Sequence, residues 1–319
     1  MKTLNHQVKG TQVDLQTLQQ LRFLAQSFNQ TQQKSQALMG GKHRSRDQNR
    51  GMEFEEVRVY QAGDDVRSID WRVTARTQMP HTKCFQEEKE KPVITLVDQR
   101  PSMFFGSQYC FKSVYACHLS ALINWASVSR GDRSGGMVIG THSIQHSRAA
   151  RTQSSINRWL QQLTDANQQL IDLHQRQQLH QKSTSTFLDA LKRLNNVSHR
   201  GSEIIIISDF YDLDDDCESL LFNLAKHHSL TFYWLIDPLE VELPLIEQVT
   251  FSDGEKKLPL SITPSLQQGY SQHFSHKKDK LNRICRQLNS HLVMVSINTA
   301  LLDIYRHNAS SSAGMYGTS

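Results

Sequence analysis

Two aspartates stand where unbroken apolar runs stop: Asp98 follows Val93 to Val97 (VITLV), and Asp209 follows Glu203 to Ser208 (EIIIIS). A carboxylate just past a buried strand, joined by the hydroxyl of Ser102 on its own loop and of Thr184 or Thr186 on another, supplies hard oxygen donors of the kind Mg2+ takes. The same placement has a purely structural use, because an aspartate at a strand-to-helix turn accepts hydrogen bonds from the first free N–H groups of the helix. Both readings stay open for each aspartate at this level.

A second chemistry-bearing stretch lies between Glu53 and Arg76, where Glu53, Glu55, Glu56, Asp64, Asp65 and Asp70 alternate with Arg58, Arg67, Arg72 and Arg76 around Phe54, Tyr60 and Trp71. Such a mixture reads either as an ion-pair network bracing a small module or as a partner-docking face, since Arg, Trp and Tyr dominate binding hot spots. The residues assigned to that face are Arg58, Tyr60, Asp64, Asp65, Arg67, Asp70, Trp71 and Arg76. A third charged stretch, Lys42, His43, Arg44, Arg46 and Arg50, reads as a solvated loop before it reads as a binding patch.

Catalytic patterns are missing: there is no G-x-S-x-G elbow, phosphate-binding G-x-x-x-x-G-K-S/T loop, H-E-x-x-H or G-x-G-x-x-G after a strand. The histidines are dispersed, and His227-His228 sits at a helix end, where imidazoles meet free carbonyls. Asp212, Asp214, Asp215 and Asp216 form an acidic run suited to the positive end of a helix dipole.

The elements that must position these groups alternate in type. Leu15, Leu18, Leu21, Leu24 and Phe28 repeat at three and four and predict an amphipathic helix over residues 14–30, followed by a Gln- and Arg-rich linker to Gly51. Gly63-Asp64-Asp65 is a turn signal, and Ile69 to Val73 alternates like a strand. Beyond residue 91 the chain predicts strand 93–97, helix 109–128, turn and strand 131–140, helices 153–163 and 186–196, strand 203–208, helix 217–227, strand 230–236, helix 272–289 and strand 291–297. That order is a three-layer, mostly parallel α/β sheet.

Bulk properties narrow the function classes. Basic side chains number 36 against 31 acidic, a formal +5 too small to argue for nucleic acid. Five scattered cysteines without a C-x-x-C pair argue against a disulfide framework and for a reducing compartment, and no run approaches the roughly 20 apolar residues of a membrane helix. The expectation is a cytoplasmic protein with no membrane span and no nucleic-acid partner.

The run Gly51 to Arg76, GMEFEEVRVYQAGDDVRSIDWRVTAR, resembles the signature of the bacterial family catalogued as domain of unknown function 58. The likeness continues through Phe85, Glu88, Asp98, Pro101-Ser102-Met103, Gly131-Asp132-Arg133, Ile207-Ser208-Asp209-Phe210 and Asp237-Pro238, over roughly residues 40–262. The family is similar to von Willebrand A domains, a Rossmann-like fold whose metal-ion-dependent adhesion site uses D-x-S-x-S, a threonine and a later aspartate. The resemblance implies Asp98, Ser102, Thr186 and Asp209 as Mg2+ ligands, with one departure: Asp98-Gln99-Arg100-Pro101-Ser102 places arginine where the first serine belongs. A guanidinium repels a cation and carries no acceptor, so Arg100 either pairs with Asp98 or Asp209 and replaces the ion's charge or grips a partner's carboxylate.

Four segments are expected: an opening helix with basic linker over 1–49, the signature module over 50–90, the von Willebrand A-like domain over 91–300 and a tail over 301–319. Family members are commonly encoded beside a MoxR-type AAA+ ATPase. The resemblance therefore implies a non-enzymatic adaptor for such an ATPase and its client proteins in chaperone-like maturation or remodelling. The alternative is a Mg2+-dependent hydrolase or phosphotransferase built on the strand-end aspartates.

Overall fold

The computed structural model describes residues 7–26, 52–61, 63–87, 92–176, 178–179, 183–243, 249–252, 257–260 and 263–304. The basic stretch Lys42 to Arg50, Phe28, Glu88 and the tail beyond 304 lie outside the described residues. The chain divides into two units, residues 1–32 with 91–319, and residues 33–90. Helix α1 (15–26) belongs to the larger one. Its buried Leu18, Leu21 and Ala25 carry the three- and four-residue spacing seen in the sequence.

The smaller unit is a hairpin with two short helical turns. Strand β1 (Met52–Val59) pairs antiparallel with β2 (His81–Glu87), Val59 opposite His81, with a bulge between Phe54 and Glu56. Gly63 makes the foreseen turn at φ +113°, where a side chain would be strained. Residues 69–73, expected as a strand, instead open helix α2 (Trp71–Thr77). Asp70 decides this: its carboxylate accepts from the backbone N–H groups of Arg72 and Val73 at 3.0 and 3.1 Å. An N-cap contributes about 1 kcal/mol, more than a five-residue alternation offers an unpaired strand.

The larger unit follows the expected alternation: β3 (Val93–Asp98), α3 (Lys112–Arg130), β4 (Ser134–Ile139), β5 (Ile144–Ala150), α4 (Gln153–Gln175), α5 (Phe187–Val197), β6 (Glu203–Ser208), α6 (Asp215–Ala225) and β7 (Ser229–Ile236). The short α7 (Pro238–Val241), the hairpin β8 (Val249–Ser252) and β9 (Lys257–Leu260), α8 (Pro264–Gln287), β10 (His291–Ser296) and α9 (301–304) complete it. The sheet runs β10-β7-β6-β3-β4-β5, parallel throughout except for β5 at its edge.

Each central strand is apolar on both faces because helices cover both. Along β3, Val93 and Val97 join a core with α1, α3 and α4, while Ile94 and Leu96 join a core with α5, α6 and α8. Helix α5 buries Phe187, Ala190, Leu191 and Leu194, one stripe at helical spacing. Helix α1 and the residues before it are tied to the first layer by Trp125 Nε1 donating to the Leu18 carbonyl at 3.0 Å and by Val13 N–H donating to Asn167 Oδ1 at 2.9 Å.

The order has a consequence for function. From β3 the chain moves outward through β4 and β5, then returns to place β6 on the other side of β3, so adjacent β3 and β6 send their following loops in opposite directions. That reversal is the topological switch point at which open α/β sheets bind ligands, beyond the strands' carboxyl ends. Asp98 and Asp209 stand there.

Candidate functional site

Asp98 ends β3 with 1% of its surface exposed, and Arg100 folds back onto it. Arg100 Nε donates to Asp98 Oδ1 at 2.9 Å and Nη2 to Oδ2 at 2.7 Å, while the Arg100 backbone N–H donates to Oδ1 at 3.1 Å. Ser208 Oγ, from the end of β6, donates to Asp98 Oδ2 at 2.8 Å. The guanidinium then reaches across to Asp212 with a second fork, Nη1 to Oδ2 and Nη2 to Oδ1, the latter at 2.8 Å. Arg100 thus clamps the loop after β3 to the loop after β6, with the Phe187 ring 5.7 Å beneath it. Two forked carboxylate pairs on one guanidinium use the geometry that distinguishes arginine from lysine.

Asp209, 3% exposed, is met by a different cation. Lys112, the first residue of α3, donates from Nζ to Asp209 Oδ2 at 2.9 Å and to Glu240 Oε1 at 2.7 Å. A lysine at the positive end of a helix is poorly placed, and these carboxylates offset that cost. Ser102 Oγ and the Tyr211 N–H hold the other Asp209 oxygen at 3.3 and 3.2 Å. Asp237 caps α7 and accepts from Ser107 N–H and Oγ at 2.7 and 2.6 Å, fixing the loop before α3.

Burial disfavours charge on Lys112 and Asp209, yet their mutual attraction outweighs it. Lys112 is held above its ordinary range by Asp209 and Glu240, and Asp209 below its own by Lys112, Lys277 and Arg100. Arg100 is likewise pushed further up by Asp98 and Asp212 against the cost of burial. Lys277 on α8 lies within electrostatic reach of Asp209, Lys112, Glu240 and Asp212, over the Trp234 ring at 5.7 Å, and burial draws it down.

The loop after β6 is strained in a directed way. Phe210 adopts φ +52°, unfavourable for an aromatic residue by about 1–3 kcal/mol. The conformation sends Phe210 down onto Phe187 and Phe232, at ring separations of 6.0 and 5.8 Å. Its neighbour Tyr211 stands outward, 77% exposed, at the rim of the ion-pair cluster.

Of the four residues read as Mg2+ ligands, Asp98, Ser102 and Asp209 come together and Thr186 does not join them by any hydrogen bond. Thr186 is the exposed N-cap of α5, its hydroxyl accepting from the Asp189 N–H at 3.1 Å and its backbone N–H donating to Asp189 Oδ2 at 3.3 Å in a reciprocal capping box. Thr184, the other hydroxyl considered, is exposed beside His142. Both Asp98 oxygens carry guanidinium N–H groups and one Asp209 oxygen carries an ammonium, so the set as arranged does not fit a divalent cation. Thr186→Ala is accordingly expected to lower stability by about 0.5–2 kcal/mol as a lost cap. Chemical denaturation with and without Mg2+ checks this: the deficit should be the same in both.

Sequence reading missed Lys112, Glu240 and Lys277. The pattern Asp237-Pro238-Leu239-Glu240 is a capping box with proline at the first helical position, which marks Glu240 as held near Asp237. Nothing local marks Lys112 or Lys277. In the acidic run, Asp214 caps α6 and Asp215 and Asp216 occupy its first turn, whereas Asp212 belongs to Arg100.

In the smaller unit the assigned residues divide by sign. Asp64 pairs with Arg58 at 2.7 Å and accepts from the Gln61 N–H, Asp65 accepts from the Arg67 N–H, and Asp70 caps α2. Tyr60 is half-buried, its N–H donating to the Pro80 carbonyl. Arg67, Trp71 and Arg76 point outward.

A family model described as a protein of unknown function, DUF58, matches residues 56–280. Uncharacterized proteins of Mycobacterium bovis and Mycobacterium tuberculosis are 28% identical over 285 residues, covering 88% of this chain and 86% of theirs. Among solved structures, a von Willebrand factor type A protein from Catenulispora acidiphila matches 72% of this chain and 44% of its own at 8% identity and TM-score 0.38. A mussel byssus protein, proximal thread matrix protein 1, matches 46% and 37% at 11% identity and TM-score 0.32. The chain thus spans less than half of either solved protein.

Proposed function

The chain belongs to the DUF58 family of proteins of unknown function, and from that premise we propose that it is a non-enzymatic protein-interaction domain whose recognition end works without a metal ion. The observation carrying this reading is Arg100, forked onto Asp98 and Asp212 at the switch point of the sheet. Arg100 and Lys112 supply the positive charge that a divalent ion would otherwise bring to Asp98 and Asp209. With Arg100 saturated by two carboxylates of its own chain, Tyr211 is a large side chain that stands outward at this end. A half-apolar ring on an over-determined loop supplies contact area at little entropic cost, the usual character of an interface anchor.

The finer reading makes the domain an adaptor for a MoxR-type AAA+ ATPase, acting with it on client proteins in chaperone-like maturation or remodelling. The family resemblance supports this. A cytoplasmic setting belongs to the same reading: the four described free cysteines are buried, and among the described residues no helix is long and apolar enough to cross a membrane.

The test is calorimetric titration with Mg2+ and Mn2+, beside binding of a purified MoxR-type ATPase. We expect no saturable ion binding, and ATPase binding that Tyr211→Ala weakens by at least about tenfold. Saturable ion binding abolished by Asp98→Ala with Asp209→Ala would overturn the metal-free reading and return the hydrolase or phosphotransferase alternative.

A further inference from the structure

The smaller unit carries charge and apolar surface that its own fold does not use. Its helices bury no residue, and among the described residues four large apolar side chains stand open: Val59 at 49%, Val66 at 60%, Trp71 at 68% and Met79 at 58%. The hydrogen bonds collect them at one end of the hairpin. Val59 lies opposite His81, the Tyr60 N–H donates to the Pro80 carbonyl, and the Asp70 N–H donates to the His81 carbonyl, bringing Trp71 and Met79 to the same end. Ile69 bridges to Thr82 and donates to the Val66 carbonyl, which holds Val66 beside them.

The charges around this end are unbalanced in availability. Asp64, Asp65 and Asp70 are engaged with Arg58 and with backbone N–H groups of their own turns. Arg67, Arg72 and Arg76 are exposed and, among the described residues, their guanidinium groups make no ion pair or hydrogen bond. On α2 the spacing of four puts Arg72 and Arg76 on one line and Trp71 and Ala75 on the next. The result is an apolar patch edged by three free guanidinium groups.

We infer that this end of the smaller unit docks an acidic segment of a protein partner, with an apolar side chain seated at Trp71 and Met79 and carboxylates meeting Arg67, Arg72 and Arg76. The inference rests on the interaction reading above and names the chemistry of one partner surface. Free arginines call for carboxylates or phosphates, and the apolar share of the patch selects the first. A nucleic-acid backbone gains nothing from Val59, Val66 and Met79.

The experiment uses the full chain and a fluorescein-labelled synthetic peptide of alternating glutamate and leucine. Its glutamine counterpart and a single-stranded oligonucleotide serve as comparisons. Wild type should bind the Glu-Leu peptide saturably, and Arg72→Glu with Arg76→Glu, or Trp71→Ala, should each weaken binding by about tenfold or more at unchanged melting temperature. Arg72→Lys with Arg76→Lys should keep most of the binding. No saturation, equal binding of the glutamine peptide, or tighter binding of the oligonucleotide would each overturn the inference. Absent peptide binding beside ATPase binding that still depends on Tyr211 would remove this face and leave the interaction reading in place, whereas saturable Mg2+ binding would remove the metal-free reading alone.

Discussion

Replacing Lys112 by methionine should cost about 3–5 kcal/mol of stability, because a buried ion pair that loses one partner leaves the other charge uncompensated. Lys112 is 1% exposed and Asp209 3%, so water cannot take over the role of the ammonium. Methionine matches the lysine stem in size, which leaves the charge as the main difference. The sign of the pH dependence follows from the two shifts. Asp209 titrates below its ordinary 3.8 in the folded chain, so its contribution is present above about pH 4 and is lost as pH falls through its folded value. Lys112 titrates above its ordinary 10.5, so its contribution is present below about pH 10.5 and is lost as pH rises through its folded value. Wild-type stability from this pair should therefore hold between about pH 4 and 10.5. In Lys112→Met the aspartate loses the largest attraction opposing its burial and keeps only those of Lys277 and Arg100, so it titrates higher than in wild type and the deficit should shrink as the solution is acidified toward pH 4. Urea denaturation of both proteins across that range measures it, and a deficit under about 1 kcal/mol, or one independent of pH, would contradict the assignment.

The second large effect lies where the sheet meets α4. A Cβ placed on Gly136 would run into the indole of Trp159, a side chain with no exposed surface. Trp159 is also held by Nε1 donating to Ser120 Oγ at 3.2 Å, so it cannot swing away freely. Gly136→Ala should cost about 1–3 kcal/mol through overpacking, and Trp159→Ala about 3–5 kcal/mol through the cavity it leaves. The two positions share one volume, so they should not be additive. In a Trp159→Phe background Gly136→Ala should cost at least about 1 kcal/mol less than in wild type. Thermal and urea denaturation of the four proteins closes the cycle, and additive losses would mean that the indole and the glycine do not share that space.

Both effects bear on how the recognition end is held. Gly136 and Trp159 fix α4 against β4, and Lys112 opens α3, which packs on β3. The loops bearing Arg100 and Tyr211 are therefore placed by rigid elements, and the strain at Phe210 persists because two aromatic rings, the Ser208 hydroxyl and the Asp209 carboxylate over-determine it.

Much of this was open to reading in one dimension. VITLV is apolar but for Thr95 and EIIIIS carries four consecutive isoleucines, so neither alternates, and only a strand covered on both faces needs that; β3 and β6 and the layered fold therefore followed from the sequence. Helical spacing located α1, α3, α4 and α5 in the same way. Edge strand β5, IQHSRAA, escaped because one of its seven residues is buried and its pairing is supplied by β4. Helix α2 escaped because an N-cap aspartate outweighed a weak alternation. For the site, Asp98, Ser102, Asp209 and the anomalous Arg100 were visible, since each is defined by its place at a strand end. The pairing of Arg100 with Asp98 was one of the alternatives left open, and the structure makes it; the longer-range pairings were not legible. Arg100 reaches Asp212 across 112 positions, Lys112 reaches Asp209 across 97 and Glu240 across 128. Local sequence determines which segments become strands and helices, because backbone hydrogen bonding and side-chain burial repeat over a few residues. Which charges then neutralise one another depends on the β3–β6 adjacency, and that is set by packing the whole sheet between its two helical layers, a decision no short stretch of the chain contains.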